Sequence, residues 1–157
     1  MPRTVMTYLN PTLKVADTEA ELAAGTGYEC QITSAVISAS VTFQTIPPTG
    51  CAGPSQSPSA PTYSLTIDWL QDWSAPGGGL SKWAEDHAGL PAWVELVPNT
   101  ADAATKATGP VTVVPGSFGG TFGDGSAGMA GAPVWGFTDR PTFVVPADVL
   151  ADEAEAA

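Results

Sequence analysis

Between Thr62 and Val97 the hydrophobic period of the chain changes and then changes back. Tyr63, Leu65, Ile67 and Trp69 alternate with Ser64, Thr66 and Asp68, the period of a strand with one buried face. Pro76-Gly77-Gly78-Gly79 ends that strand, since proline lacks the ladder N–H and glycine takes backbone angles that other residues avoid. From Leu80 the spacing becomes helical: Leu80, Trp83, Ala84 and His87 fall on one stripe, with Ser81, Lys82, Glu85 and Asp86 opposite. This predicts a short helix over Leu80–His87, with Lys82 able to pair with Glu85 or Asp86 and with Gly89 and Pro91 as stop signals. A helix this short needs a sheet to pack on. Trp93, Val94, Leu96 and Val97 then resume as a strand, with Trp69, Trp83 and Trp93 expected in the core.

The rest of the chain reads as strands and turns. Weak strand signals occupy Thr4–Leu9 and Thr12–Ala16, followed by an acidic loop or poor helical turn over Asp17–Gly27. Cys30, Ile32, Ser34 and Val36 alternate with Gln31, Thr33 and Ala35. A bend is expected at Ser38-Ala39-Ser40, and Val41 and Phe43 resume the alternation. Pro47–Pro61 is a Pro/Ser/Gly-rich loop, long for a compact domain without a role. Asn99–Gly109 is turn-like, Val111 and Val113 mark a strand, and Thr121–Gly131 reads as a loop too poor in side chains to pack. Val134–Phe137 and Thr142–Val145 predict two strands around the turn Thr138–Pro141. The expected fold is mainly β: a sandwich or barrel of seven to nine strands with one flanking helix. One domain is expected over residues 1–146, with 1–27 as an N-terminal arm and 147–157 as an acidic, disordered tail.

Charge removes a class of partner. With 5 basic against 16 acidic residues in 157, net charge −11, no patch is available to neutralise a row of phosphates, so specific nucleic-acid binding is not expected. No secretory signal or membrane span is read, since polar Thr4–Asn10 follows Met1-Pro2-Arg3, and folding in a cytoplasm is expected. Cys30 and Cys51 are then expected as reduced thiols, with a disulfide between them as the alternative.

Candidate chemistry is sparse, and neither an enzyme nor a cofactor is expected. His87 sits on the helix's apolar stripe, and Asp86 beside it points about 100° away around the helix, so a packed histidine is preferred to a general base. Asp68 and Asp72, with Asp86, offer carboxylates from which a pair for glycoside hydrolysis could be drawn, but nothing except acidity argues for it and solvated carboxylates are the better reading. Gly77–Gly79 and Gly116–Gly120 lack the lysine and helix context of a phosphate loop, and Asp124-Gly125-Ser126 lacks the alternating ligands of a calcium loop. No zinc spacing occurs. Of the five tryptophans, Trp73 and Trp135 are the candidates for exposure, at a subunit interface by preference and otherwise as a sugar platform.

In the order YECQITSA, a Pro/Ser loop with a cysteine, LTIDWLQDW, PGGGLSKW, AWVELVP, ATGPVTVVPGSFGG and DRPTF, the chain from Tyr28 to about Val145 resembles the major tail tube proteins of long-tailed phages of actinobacteria. The resemblance implies a homohexameric ring that stacks into a tube in the virion tail and is assembled in the host cytoplasm. DNA passes through its lumen without specific binding. A tape measure protein in that lumen during assembly, and tail tip and tail terminator proteins at its ends, are the implied partners. On this reading Asp68, Asp72 and Glu95 are candidates to face the lumen, and Pro47, Pro48, Pro54, Pro58, Trp73 and Trp135 to make interface or inter-ring contacts. A carbohydrate-binding β-sandwich and a capsid decoration protein are the alternatives. The Ala/Gly-rich segment 123–132 and the acidic tail depart from the family pattern.

Overall fold

The computed structural model describes residues 11–28, 31–73, 79–99, 101, 104–120 and 128–145. The strand expected at Thr4–Leu9, the Pro76–Gly78 break, Cys30, Asp124-Gly125-Ser126, most of the Thr121–Gly131 loop and the acidic tail lie outside the described residues.

Among the described residues the protein is mainly β with one α-helix. Ten strands are described: β1 (Thr12–Ala16), β2 (Thr26–Gly27), β3 (Ile32–Ser40), β4 (Phe43–Ile46), β5 (Ser55–Pro58), β6 (Thr62–Trp69), β7 (Pro91–Val97), β8 (Lys106–Thr112), β9 (Val134–Phe137) and β10 (Thr142–Val144). The helix α1 spans Gly79–Asp86 between β6 and β7, and a single 3-10 turn covers Leu22–Ala24. Eight strands form one antiparallel sheet in the order β2-β1-β7-β8-β9-β6-β3, with β10 pairing on β8. β9 holds the halves together, pairing Ser64–Thr66 of β6 through Val134–Gly136 and Val111 and Thr112 of β8 through Phe137 and Gly136.

The sheet curls around one core. Leu13 and Val15 near one end of the strand order share a buried cluster with Ala35 at the other, together with Leu65, Ile67, Val94, Val111 and Trp135. At its centre Trp69 and Trp135 meet edge to face, 6.4 Å between centroids. Both indole N–H groups find acceptors, Trp69 donating to Ser81 Oγ at 3.0 Å and Trp135 to the Val114 carbonyl at 2.8 Å, which removes the penalty of burying them. α1 closes the core with buried Leu80 and Ala84 and the partly buried Trp83, as the helical stripe predicts. Its entry is set by Gly79 at φ +57, where a Cβ would sit 2.5 Å from Gln31 Nε2, while Gln31 Oε1 accepts the Leu80 N–H at 2.9 Å. Lys82 pairs with Asp86 on the wet face.

Several expectations are corrected. Trp135 is 0% exposed and belongs to the core, because β9 lies between β6 and β8 and its inward position falls over Trp69. It therefore offers no surface to a neighbour or a sugar. Trp93 is only half-buried: β7 buries Ala92, Val94 and Leu96 and turns Trp93, Glu95 and Val97 to its other face. In β3 the buried residue is Ala35, not Val36, because the register against β6 shifts between Ile32 and Ser34. The bend expected at Ser38–Ser40 is absent, since those residues pair in regular register with Ser64, Tyr63 and Thr62. The turn-like Asn99–Gly109 stretch is shorter than expected, because β8 starts at Lys106. The Pro47–Pro61 loop contains a strand of its own, β5.

Candidate assembly surface

The hairpin β3–β6 does not end where it leaves the sheet. Beyond Ser40 and Thr62 the two chains separate from the core and pair again as β4 and β5, in the register Phe43↔Pro58, Gln44↔Ser57, Thr45↔Gln56 and Ile46↔Ser55. The junction is tied by Thr42 and Ser59: the Ser59 N–H donates to the Thr42 carbonyl at 2.8 Å, the Thr42 N–H to Ser59 Oγ at 3.1 Å, and the hydroxyls lie 2.9 Å apart. At about 3.3 Å per residue the arm reaches roughly 25 Å from this junction to its tip at Thr49–Ala52.

Every residue from Ser38 to Thr62 is exposed. The arm displays apolar side chains openly, Phe43 at 63% exposure together with Val41 and Ile46. Pro47, Pro48, Pro54 and Pro58 all lie exposed on it, and free Cys51 sits at its tip. A two-stranded hairpin is marginal alone in water and gains its stability from something that covers a face. Moreover, in a chain of net charge −11 no charged residue stands between Glu29 and Asp68. Copies of so acidic a chain repel one another, and this uncharged stretch is where a second copy can approach without that cost.

Two further features adjoin the arm. β3 is an edge strand in the described sheet, long, without lysine or proline, and exposed along Thr33, Ser34, Val36 and Ser38–Ser40. Such an edge is a template for pairing, and only the irregularity between Ile32 and Ser34 interrupts it. Behind it Ile37, Leu96, Pro98, Phe143, Val144 and Val145 line an apolar groove of about 260 Å³, at whose rim Val145 is 58% exposed. At another place on the surface Trp73 packs edge-on against Phe118, with centroids 5.1 Å apart. Phe118 is 80% exposed, so of the two tryptophans expected outside, Trp73 alone is.

The acidic candidates do not converge. Asp68 organises backbone: its Oδ1 accepts the N–H groups of Trp69 at 3.1 Å and Ala132 at 3.2 Å. Glu95 forms a part-buried ion pair with Lys106 at 2.8 Å. Asp72 is half-buried near Trp73. Among the described residues no group of three His, Cys, Asp or Glu side chains is placed to hold a metal. His87 is engaged at both nitrogens, with Nδ1 2.8 Å from the Trp83 carbonyl and Nε2 3.0 Å from Asp17 Oδ1, and its ring stacks on Trp83 at 4.2 Å. Its acid partner is thus Asp17 at the end of β1, a pairing 70 positions apart that no local pattern announces. Both neighbours are acceptors, and the contacts tie the end of α1 to the end of β1, a packing role for the imidazole. No described helix is long and apolar enough to cross a membrane.

Gln71 is a positioning residue that the periodicity missed. Its Nε2 donates to the carbonyls of Met129 at 2.6 Å and Gly119 at 3.0 Å, and its Oε1 accepts the Gly119 N–H at 3.0 Å. One amide thereby holds the segment that carries Phe118 beside Trp73. No family model matches the chain, and no curated protein matches it.

Proposed function

We propose that this chain is a structural, non-enzymatic protein that acts by polymerising: the tail tube subunit of a long-tailed phage, assembling as stacked hexameric rings around the path of the genome. The observation that carries the self-assembly is the uncharged, fully exposed β4–β5 arm on an otherwise strongly acidic chain. The tail tube assignment rests on the sequence resemblance over Tyr28–Val145. The arm, from Val41 to Pro61, is as long as the contribution of about 20–30 residues that each side makes to a stable interface. An arm that docks on a different patch of the next copy makes a head-to-tail contact, the type that closes into rings or continues as a filament.

The acidic balance supports a conduit. Basic walls would hold a passing nucleic acid by releasing its counterions, whereas acidic walls repel phosphate and let it slide. Asp68 and Glu95 are engaged by backbone and by Lys106, so the field in the bore is assigned to the acidic excess as a whole and not to a ring of named carboxylates. In this reading the tape measure protein occupies the lumen during assembly, tail tip and terminator proteins bound the tube, and the protein resides in the virion tail.

Negative-stain electron microscopy over rising protein concentration, with and without the tail-initiation proteins, tests the proposal. Rings or tubes with a central channel are the expected result. A protein that stays monomeric in the presence of its initiation partners overturns it.

A further inference from the structure

The face of β7 and β8 that turns away from the core carries a second feature, separate from the arm. A groove of about 480 Å³ lies over it, within the range of small-molecule sites. Trp93, opposite Pro110 in the strand register, contributes the aromatic part of its lining. The Glu95–Lys106 pair lies beside it. One wall is the segment around the 3-10 turn, with Glu19; the other is the β9–β10 turn, with Asp139 and Arg140.

The chemistry of this lining restricts the ligand. Carboxylates of Glu19, Glu95 and Asp139 accept hydrogen bonds, while Lys106 and Arg140 donate them. A ligand of either single charge meets its own sign within the same groove. A neutral polyol uses donors and acceptors alike, and the C–H face of a sugar ring suits an indole that is half-buried and edged by polar groups. We infer that this groove is a binding site for a neutral saccharide unit, with Trp93 as its platform. The site differs from an aromatic row at Trp73 and Trp135, and it does not depend on assembly, since every residue named belongs to one chain.

The test is an NMR titration of the dilute protein, labelled at its tryptophan indoles, with the methyl glycosides of glucose, galactose and N-acetylglucosamine, up to roughly 50 mM because small open sites bind in the millimolar range. Trp93→Phe assigns the Trp93 signal. At least one glycoside should move that signal saturably while those of Trp69 and Trp135, hydrogen-bonded in the core, stay in place. Arg140→Ala, in an exposed turn, should weaken binding about tenfold, as expected for loss of a hydrogen bond from a charged group. A Trp93 signal unmoved by all three sugars, a response confined to Trp73, or an Arg140→Ala variant of undiminished affinity overturns the inference. None of these results bears on ring formation, which the arm governs.

Discussion

The long hairpin from Ile32 to Trp69 consists of two regions built by the same backbone rule and stabilised by different means. At its base, β3 and β6 pair over Ile32–Ser40 and Thr62–Trp69, and β6 presses Leu65, Ile67 and Trp69 into a closed core. At its tip, β4 and β5 pair as regularly, yet all of their residues are exposed. Side-chain placement accounts for the difference. Leu65, Ile67 and Trp69 are two apart and fall on one face, whereas Phe43 and Ile46 are three apart and fall on opposite faces of the ribbon. A two-sided apolar ribbon cannot be satisfied by one sheet, but it can be satisfied by neighbours on both sides. The base is a finished structure; the tip is a paired ribbon with both faces exposed, which the proposed function assigns to an interface.

The largest test of this division strikes the base. Trp69 is fully enclosed and linked to Trp135, Ser81 and α1, so Trp69→Ala should cost about 3–5 kcal/mol through transfer and cavity terms. For a domain of this size that lowers the thermal midpoint by roughly 10 °C or more, read by circular dichroism. Assembly would be lost as well, as a consequence of unfolding. A midpoint shifted by only a degree or two would mean that the two tryptophans do not form the centre of the core.

The arm should behave in the opposite way. Replacing Phe43 and Ile46 together by serine leaves the core untouched, so monomer unfolding should change by less than about 0.5 kcal/mol, the range of ordinary surface substitutions. The concentration needed for ring formation should rise roughly 30-fold, equivalent to about 2 kcal/mol for an aromatic anchor at an interface. Sedimentation of the variant beside the unaltered protein reads the assembly threshold, and urea unfolding of both at low concentration reads the monomer stability. A variant that assembles normally would remove the arm from the interface. One that loses monomer stability instead would show the arm to be packed on its own domain.

Much of the base could be read from the chain, because period and burial agree there. β1, β6, α1, β9 and β10 lie within a residue or two of their predicted positions. What escaped reading was the choice of face. In β7 the size of Trp93 suggested burial, yet Glu95 shares its face, and the wholly apolar set is Ala92, Val94 and Leu96. That signal was present in the sequence and was outweighed by a large side chain. In β3 no pattern announces the register shift between Ile32 and Ser34, and a slip of one residue exchanges the faces. Trp135 stands in a strand of four residues, too short for alternation to decide, and its burial follows from β9 lying between β6 and β8. The arm was legible only as an unusual loop, since prolines and serines around β5 hide a strand whose sole partner among the described residues is β4. The Trp93 groove was not legible at all, because it joins residues from the 3-10 turn, β7, β8 and the β9–β10 turn.

The smallest effect separates the two regions by pH. Tyr28 is half-buried against the core, and burial pushes its phenol above its ordinary value of 10.0, opposed by a smaller lowering from a hydrogen bond with Thr26. The folded state therefore holds the phenolic proton more tightly than the unfolded chain does. The stability linked to this group is complete below pH 10.0 and is lost as the pH rises through the higher folded value. Urea unfolding on either side of that value should show a modest alkaline loss that Tyr28→Phe removes. Between Gln31 and Ile67 the chain has no carboxylate, amine or imidazole, and its titratable side chains there are Cys51 and Tyr63. Tyr28 itself lies outside the arm, so the Phe43 and Ile46 contacts do not involve it. Assembly of Tyr28→Phe should match that of the unaltered protein at every pH where both remain folded, while only its unfolding curve changes. If the substitution left the alkaline slope of unfolding intact and altered ring formation instead, Tyr28 would belong to the contact surface, and the boundary between a finished domain and an unfinished arm would have to move from Ser40 back toward β1.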